Sequence, residues 1–174
     1  MLFRSPLLMM VVSPAICGSI IVRCGTEEQK RRWVPGLADG TLLMAFGITE
    51  ADAGSNSHQI TTTARRDGDE WTLNGQKTFI SGVDEAQSVL IVARTEDEKT
   101  GKLRPALFVV PTDTPGFSRS PIEMGWAAPE KQFTLFLDDV RLPHDALIGE
   151  QDGDLWQLLD RKSTRLNSSH VSQS

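Results

Sequence analysis

At 174 residues, with 39% hydrophobic and 24% charged residues, the chain has the size and composition of one soluble globular domain, or of one domain joined to part of another. Its net charge of −5 argues against nucleic acid as the main partner, because phosphate backbones are gripped by basic faces. With three scattered histidines and only two cysteines there is no metal-ligand spacing.

The apolar opening, residues 1–22, is interrupted by Pro6 and Pro14 and diluted by Ser13, Gly18 and Ser19, which argues against a membrane span. Arg4 alone is thin support for a signal peptide. A buried helix over Pro14–Cys24 fits better, with Ser13 as its cap and Pro14 at its first position. A helix this apolar all round must be covered, and no obvious partner helices follow, so a further N-terminal segment is expected. Cys17 and Cys24 would share one face of it about 10 Å apart along the axis. That is too far for a disulfide, so buried thiols in a reducing, cytoplasmic setting are expected.

Thr26-Glu27-Glu28-Gln29 has the form of a capping box. Glu27 and Glu28 suit the positive end of the helix, and Lys30, Arg31 and Arg32 lie toward the negative one. This short helix is expected to stop at Pro35-Gly36, followed by a turn at Asp39-Gly40.

From Thr41 the pattern turns to β. Strands are predicted over Leu42–Ile48, Ile60–Arg66, Glu70–Leu73, Gln76–Ser81, Val89–Thr95, Ala106–Val110 and Gln132–Leu137. Asp67-Gly68-Asp69 signals one hairpin and Asn74-Gly75 a second, of type I′. Glu96–Arg104 is a charged loop, Pro111–Pro121 carries three prolines and is expected to be irregular, and Asp138–Pro143 is expected to turn. In the last strand Phe133, Leu135 and Leu137 share one face, with Thr134 and Phe136 on the other. Seven short strands with frequent turns and no intervening helices predict a mainly β fold, an antiparallel barrel or sandwich preceded by short helices.

Between the first two strands the chain dissolves into small and polar residues, Ala51-Asp52-Ala53-Gly54-Ser55-Asn56-Ser57. Such a run presents bare backbone N–H groups and short hydroxyls, and Gly54 lets a ligand approach the main chain. Composition leaves two readings open, a cofactor cradle or an ordinary surface loop.

An amphipathic helix begins at Asp154–Leu159 and does not develop. The polar tail Asp160–Ser174 begins with eleven residues whose back-translation resembles a short-read sequencing adaptor, so it is set apart as a non-native read-through tail.

An ordered set of short matches now carries a resemblance. It runs from Gly25-Thr26-Glu27-Glu28-Gln29-Lys30 through Thr49-Glu50 with Ala53-Gly54-Ser55, then Leu73-Asn74-Gly75-Gln76-Lys77 and Phe79-Ile80-Ser81, to Phe136–Pro143 and Leu147-Ile148-Gly149-Glu150. In this order and spacing the chain resembles the acyl-CoA dehydrogenases over Pro14–Leu159. The resemblance implies that residues 1–40 end an N-terminal helical domain, 41–153 form the middle β-domain, and 154–159 begin a C-terminal helical domain. It implies FAD as cofactor, acyl-CoA as substrate, an electron-transfer flavoprotein as electron acceptor, and a homo-oligomer.

Carried over residue by residue, Phe46, Ile48 and Thr49 would touch the flavin ring, Gly54 would open the loop, and Ser55 would face both cofactor and the thioester arm. The family's Trp-Ile-Thr reads here as Phe79-Ile80-Ser81, the aromatic covering the flavin and the hydroxyl approaching N5. Phe79 keeps a flat apolar face but has no indole N–H. Other departures are Ala51 for a usual Pro, Asp52 for a frequent Gly, Asn56 for a usual Asp, and a Gly125–Glu130 segment without its common Arg.

The family's base is a Glu of the third domain, so no catalytic residue is assigned here. Glu50 and Glu150 are expected to be structural, His58 and His144 exposed, and Trp33, Trp71, Trp126 and Trp156 core or interface residues. The implied reaction is α,β-desaturation of an acyl-CoA thioester, and the segment alone is expected to be inactive and poorly soluble. Alternatives are an acyl-CoA oxidase or flavin monooxygenase relative on the same scaffold, or a non-enzymatic β-sandwich that binds a protein.

Overall fold

The computed structural model describes residues 12–53, 59–96, 100–123 and 131–149. Within them two helices precede a curled seven-stranded sheet. Helix α1 spans Ser13–Cys24 with Pro14 in its first turn, but its flanking residue is Val12 and no side chain caps it. Ser13 is therefore inside the helix and not its cap. One side, with Cys17 and Ile21, is buried, while Val22 on the other side is exposed. The cover expected from further helices comes, on that side, from α2 and from the sheet. Cys17 and Cys24 are not joined by a disulfide, and burial pushes the Cys17 thiol up to about 12.

Helix α2 spans Glu27–Asp39 and opens with the complete capping box, Thr26 and Gln29 each bonding the other's backbone N–H. It does not stop at Pro35. That proline lies on the solvent side, and Trp33 and Leu37, one turn apart on the buried side, carry the helix on to Asp39. Gly40, with φ 78°, then ends it in the left-handed conformation.

Gln29 does more than cap. Its Nε2 donates to the carbonyls of Asp145 and Leu147, at 3.0 and 2.6 Å, and its Oε1 accepts from Thr26 and Gly149 N–H, both at 3.0 Å. One buried amide thus ties the helical segment to the chain that leaves the sheet. Gln29→Ala strands several of these backbone groups, so a loss of about 2–3 kcal/mol is expected in denaturant unfolding. A loss no larger than that of an exposed Gln→Ala change would refute the tie.

The strands are β1 Met44–Gly47, β2 Thr63–Asp67, β3 Glu70–Ser81, β4 Ser88–Glu96, β5 Leu103–Pro111, β6 Phe117–Ile122 and β7 Gln132–Pro143. The sheet is mixed and not purely antiparallel. β1 and β2 lie end to end along one edge of β4 and parallel to it, β1 against Ser88–Ile91 and β2 against Arg94. β5 pairs antiparallel along the other edge of β4, and the sheet continues β2-β3-β7-β6 with antiparallel pairs. Adjacency in sequence suggested hairpins, but the long connection Ile48–Thr62 lets β4 enter beside both β1 and β2.

The Asp67-Gly68-Asp69 hairpin forms, with Asp67 opposite Glu70 and Gly68 at φ 61°. Asn74-Gly75 makes no second hairpin, and β3 runs straight through it. There the Asn74 amide bonds Asp139 twice, Nδ2 to Oδ1 and Oδ1 from N–H, both 2.9 Å, at a break in the β3–β7 register. The Asn-Gly pair therefore serves a bulge. For the same reason Asp138–Pro143 does not turn the chain: Asp139 absorbs the irregularity at φ 48° and β7 runs on to Pro143. β6 occupies part of the proline-rich stretch expected to be irregular, with Pro121 near its end.

β4 and β5 are buried on both faces, which explains their unbroken apolar runs. Val89, Ile91, Phe108 and Val110 face the hollow of the curled sheet with Trp71, Leu73, Phe133, Leu135 and Leu137. Leu90, Val92, Leu107 and Val109 face Cys17, Ile21, Trp33 and Leu37. Trp33 and Trp71 are core residues and His144 is exposed, while Trp126, Trp156, His58, Glu150 and the Asp154–Leu159 helix lie outside the described residues. Among the described residues no helix is long and apolar enough to cross a membrane, and no His, Cys, Asp and Glu cluster could hold a metal.

Candidate functional site

Two segments that are 29 residues apart, the exit of β1 and the second half of β3, meet where the Ile48–Thr62 connection leaves the sheet. Thr78 N–H donates to the Thr49 carbonyl at 2.9 Å, and Lys77 Nζ reaches the Ile48 carbonyl at 3.4 Å. Phe46, Ile48 and Thr49 are half-buried at this exit, and Phe46 and Ile48 pack on the helix side of the sheet.

Opposite them β3 slips its register with β7 between Lys77 and Ile80. The slip puts Phe79 at φ 55°, a conformation uncommon for a bulky side chain, and leaves its ring 59% exposed. Apolar rings normally leave water, and strained backbone persists only where the surroundings enforce it, so such a residue marks a surface built to be covered. Ile80 turns into the core, so a ligand at this surface could meet only its backbone. Ser81 ends β3, half-buried, with its hydroxyl against the Gln132 side chain. Gly54 and Ser55 lie outside the described residues.

Beneath the surface lies an ion pair. Lys77, 0% exposed, donates from Nζ to Glu50 Oε1 at 2.8 Å, and Glu50 is 5% exposed. The carboxylate also accepts from the backbone N–H and hydroxyl of both Thr61 and Thr62. Burial alone would raise the Glu50 pKa, but the bonds from Lys77, Thr62 and Thr61 overcome it and hold the carboxyl at about 2. Burial draws Lys77 downward against the attraction of Glu50. The pair closes the base of the connection, joining Glu50 to Thr61 and Thr62. Glu50 is therefore a structural anchor, with its lone pairs committed.

Lys77 was not singled out by composition, yet a signal exists. Trp71 and Leu73 point inward, and strict alternation places residue 77 on the same side. A lysine at an inward position needs a buried anion, and Glu50 supplies it.

This coupling makes stability pH-dependent. Because the folded carboxyl sits at about 2 against 4.5 unperturbed, its contribution is complete above pH 5 and is lost as pH falls toward 2. The amount is about 3 kcal/mol. Glu50→Gln should flatten that part of the acid-unfolding profile, and an unchanged slope between pH 5 and 2 would contradict the assignment.

Phe79 presents an exposed ring, Ile48 and Thr49 are half-buried at the neighbouring β1 exit, and Ser81 is half-buried two residues further along β3. Glu50, which follows Thr49 in the chain, is paired with Lys77.

Residues 45–140 match the family model described as acyl-CoA dehydrogenase, middle domain, and residues 4–41 match acyl-CoA dehydrogenase, N-terminal domain. Acyl-CoA dehydrogenase FadE12 of Mycobacterium tuberculosis strain ATCC 25618 / H37Rv is 68% identical over 154 residues, which are 88% of this chain and 40% of that protein. A glutaryl-CoA dehydrogenase from Mycobacterium smegmatis in complex with FADH2 is 40% identical with a TM-score of 0.70, over 79% of this chain and 34% of that one. Butyryl-CoA dehydrogenase from Megasphaera elsdenii is 30% identical with a TM-score of 0.73, over 83% of this chain and 38% of that one. The chain thus spans about two fifths of the length of the curated relatives it matches.

Proposed function

Because the chain belongs to the acyl-CoA dehydrogenase family, we propose that the whole protein is an FAD-dependent acyl-CoA dehydrogenase that desaturates acyl-CoA thioesters between the α and β carbons. In this proposal residues 1–40 close the N-terminal helical domain, 41–153 are the middle β-domain, and 154–159 open the C-terminal helical domain. The observation that carries it is Phe79, an exposed ring in a left-handed bulge, set beside the Thr49 exit of β1.

When bound, FAD supplies the hydride acceptor. Phe79 would cover one face of the flavin ring, Ile48 and Phe46 would line its apolar rim, and the hydroxyls of Thr49 and Ser81 would hold its polar edge. Backbone groups of Ile80 would complete that edge, and Gly54 and Ser55 are proposed contacts to cofactor and thioester arm on the family resemblance alone. These contacts align the reacting carbons and exclude water. Glu50 is engaged by Lys77, Thr61 and Thr62, which supports a base supplied from the C-terminal domain. The segment by itself therefore turns over no substrate and holds flavin weakly. Electron-transfer flavoprotein as acceptor and a homo-oligomeric, cytoplasmic enzyme complete the proposal.

The test is purification of the whole protein with its natural chain on both sides of residues 12–149. Bound flavin in the visible spectrum, bleached by an acyl-CoA in the absence of oxygen, is the expected result. Reoxidation by electron-transfer flavoprotein and not by oxygen would separate a dehydrogenase from an oxidase. Absence of flavin and of acyl-CoA turnover would overturn the proposal.

A further inference from the structure

Gln132 opens β7 directly opposite Ser81, in the last pair of the β3–β7 ladder. Its side-chain amide engages the serine hydroxyl at two points: Nε2 donates to Ser81 Oγ at 2.8 Å, and the hydroxyl faces Oε1 at 3.2 Å. A hydroxyl has one hydrogen and two lone pairs. The amide N–H takes a lone pair in the shorter bond, and the hydrogen rests on Oε1 in the longer one. A donor that feeds a hydroxyl also polarises it, which makes its own hydrogen easier to give.

From this arrangement we propose that Gln132 is a positioning residue for Ser81, holding Oγ at the edge of β3 so that its hydrogen is presented as a donor to the polar edge of a bound flavin. The proposal rests on the flavoenzyme function given above and adds a residue that the family resemblance did not supply. Ser81 alone could rotate and offer either a lone pair or a hydrogen. With the amide beside it, the lone-pair role is satisfied within the protein. The hydrogen needs only to leave a 3.2 Å contact to reach an acceptor outside.

Two substitutions separate the roles. In Gln132→Glu the carboxylate can only accept, so it captures the serine hydrogen and leaves a lone pair facing outward. In Gln132→Leu the clamp is gone and the hydroxyl rotates. Both are made in the whole protein, each also in a Ser81→Ala background, and FAD affinity, the visible flavin spectrum and the midpoint potential are measured. Gln132→Glu is expected to raise the FAD dissociation constant about tenfold and to shift the spectrum and potential, with Gln132→Leu smaller in effect. In the Ser81→Ala background these differences should vanish. A variant that merely disturbed β7, or acted only through its charge, would change both backgrounds alike, and that outcome overturns the proposal. An unchanged affinity, spectrum and potential in Gln132→Glu overturns it too. If the unsubstituted whole protein binds no FAD, the flavoenzyme function itself fails and this inference falls with it.

Discussion

Lys77→Met is expected to destabilise the folded protein by about 3–5 kcal/mol, the range for breaking a buried ion pair from one side. Methionine fills a similar volume, so the loss is electrostatic and not a cavity effect. What remains is a Glu50 carboxylate at 5% exposure that has lost the Nζ bond at 2.8 Å and keeps only the threonine donors. Its pKa should rise toward or past the usual carboxylate range, so Lys77→Met should lose stability least at acid pH. The double change Glu50→Gln with Lys77→Met removes both charges and should recover a large part of the loss. Thermal or denaturant unfolding of the whole protein measures this, and a single-variant loss below about 1 kcal/mol would show that the pair is not what holds the base of the connection.

Gly75→Ala is the second large effect, expected at about 3–4 kcal/mol from steric crowding and backbone strain together. Gly75 has φ 151°, and a Cβ placed there would stand 2.6 Å from Thr62 Oγ1 and 2.7 Å from Thr62 Cα. The second neighbour is backbone and cannot swing away. Thr62 is the fully buried residue whose N–H and hydroxyl bond Glu50. The methyl group would therefore push apart the same connection that Lys77 secures. Because the two sites share Thr62 and Glu50 as neighbours, their effects should couple: the two changes together should cost less than their sum. A Gly75→Ala variant as stable as the parent would mean that the Thr62 segment yields freely.

Much of the architecture was legible along the chain. The capping box at Thr26–Gln29, the Asp67–Asp69 hairpin and the inward set Phe133, Leu135 and Leu137 are local patterns, set by residues within a few positions of one another. The predicted strand number of seven agrees with the sheet, but two differences offset each other: the two strands drawn around Asn74-Gly75 are one, and β6 was not foreseen. Both differences have the same origin. Asn-Gly and proline are turn formers when judged locally, but here Asp139 satisfies the Asn74 amide across the sheet and Pro121 lies at the end of β6, along the rim of the sheet beside β7. The parallel pairing of β4 with β1 and β2 was invisible for a similar reason, since it depends on which strand fills the gap left by a long connection.

The candidate site divides in the same way. Thr49, Phe79 and Ser81 are marked as candidates by the sequence and by the family it resembles. Their partners are not, because Lys77 and Gln132 act across 27 and 51 positions of chain. By itself the sequence determined the β character, the two opening helices and the hydroxyl-bearing segments, since periodicity, capping and side-chain chemistry are properties of neighbouring residues. Only the tertiary structure decided that a lysine would be buried against Glu50, that Phe79 would be held out in water, and that Gln132 would grip Ser81. The first and last are contacts between distant residues whose energy exists only once the sheet has closed and water has left the space between them, and the exposure of Phe79 follows from a register slip that exists only once β3 has paired with β7.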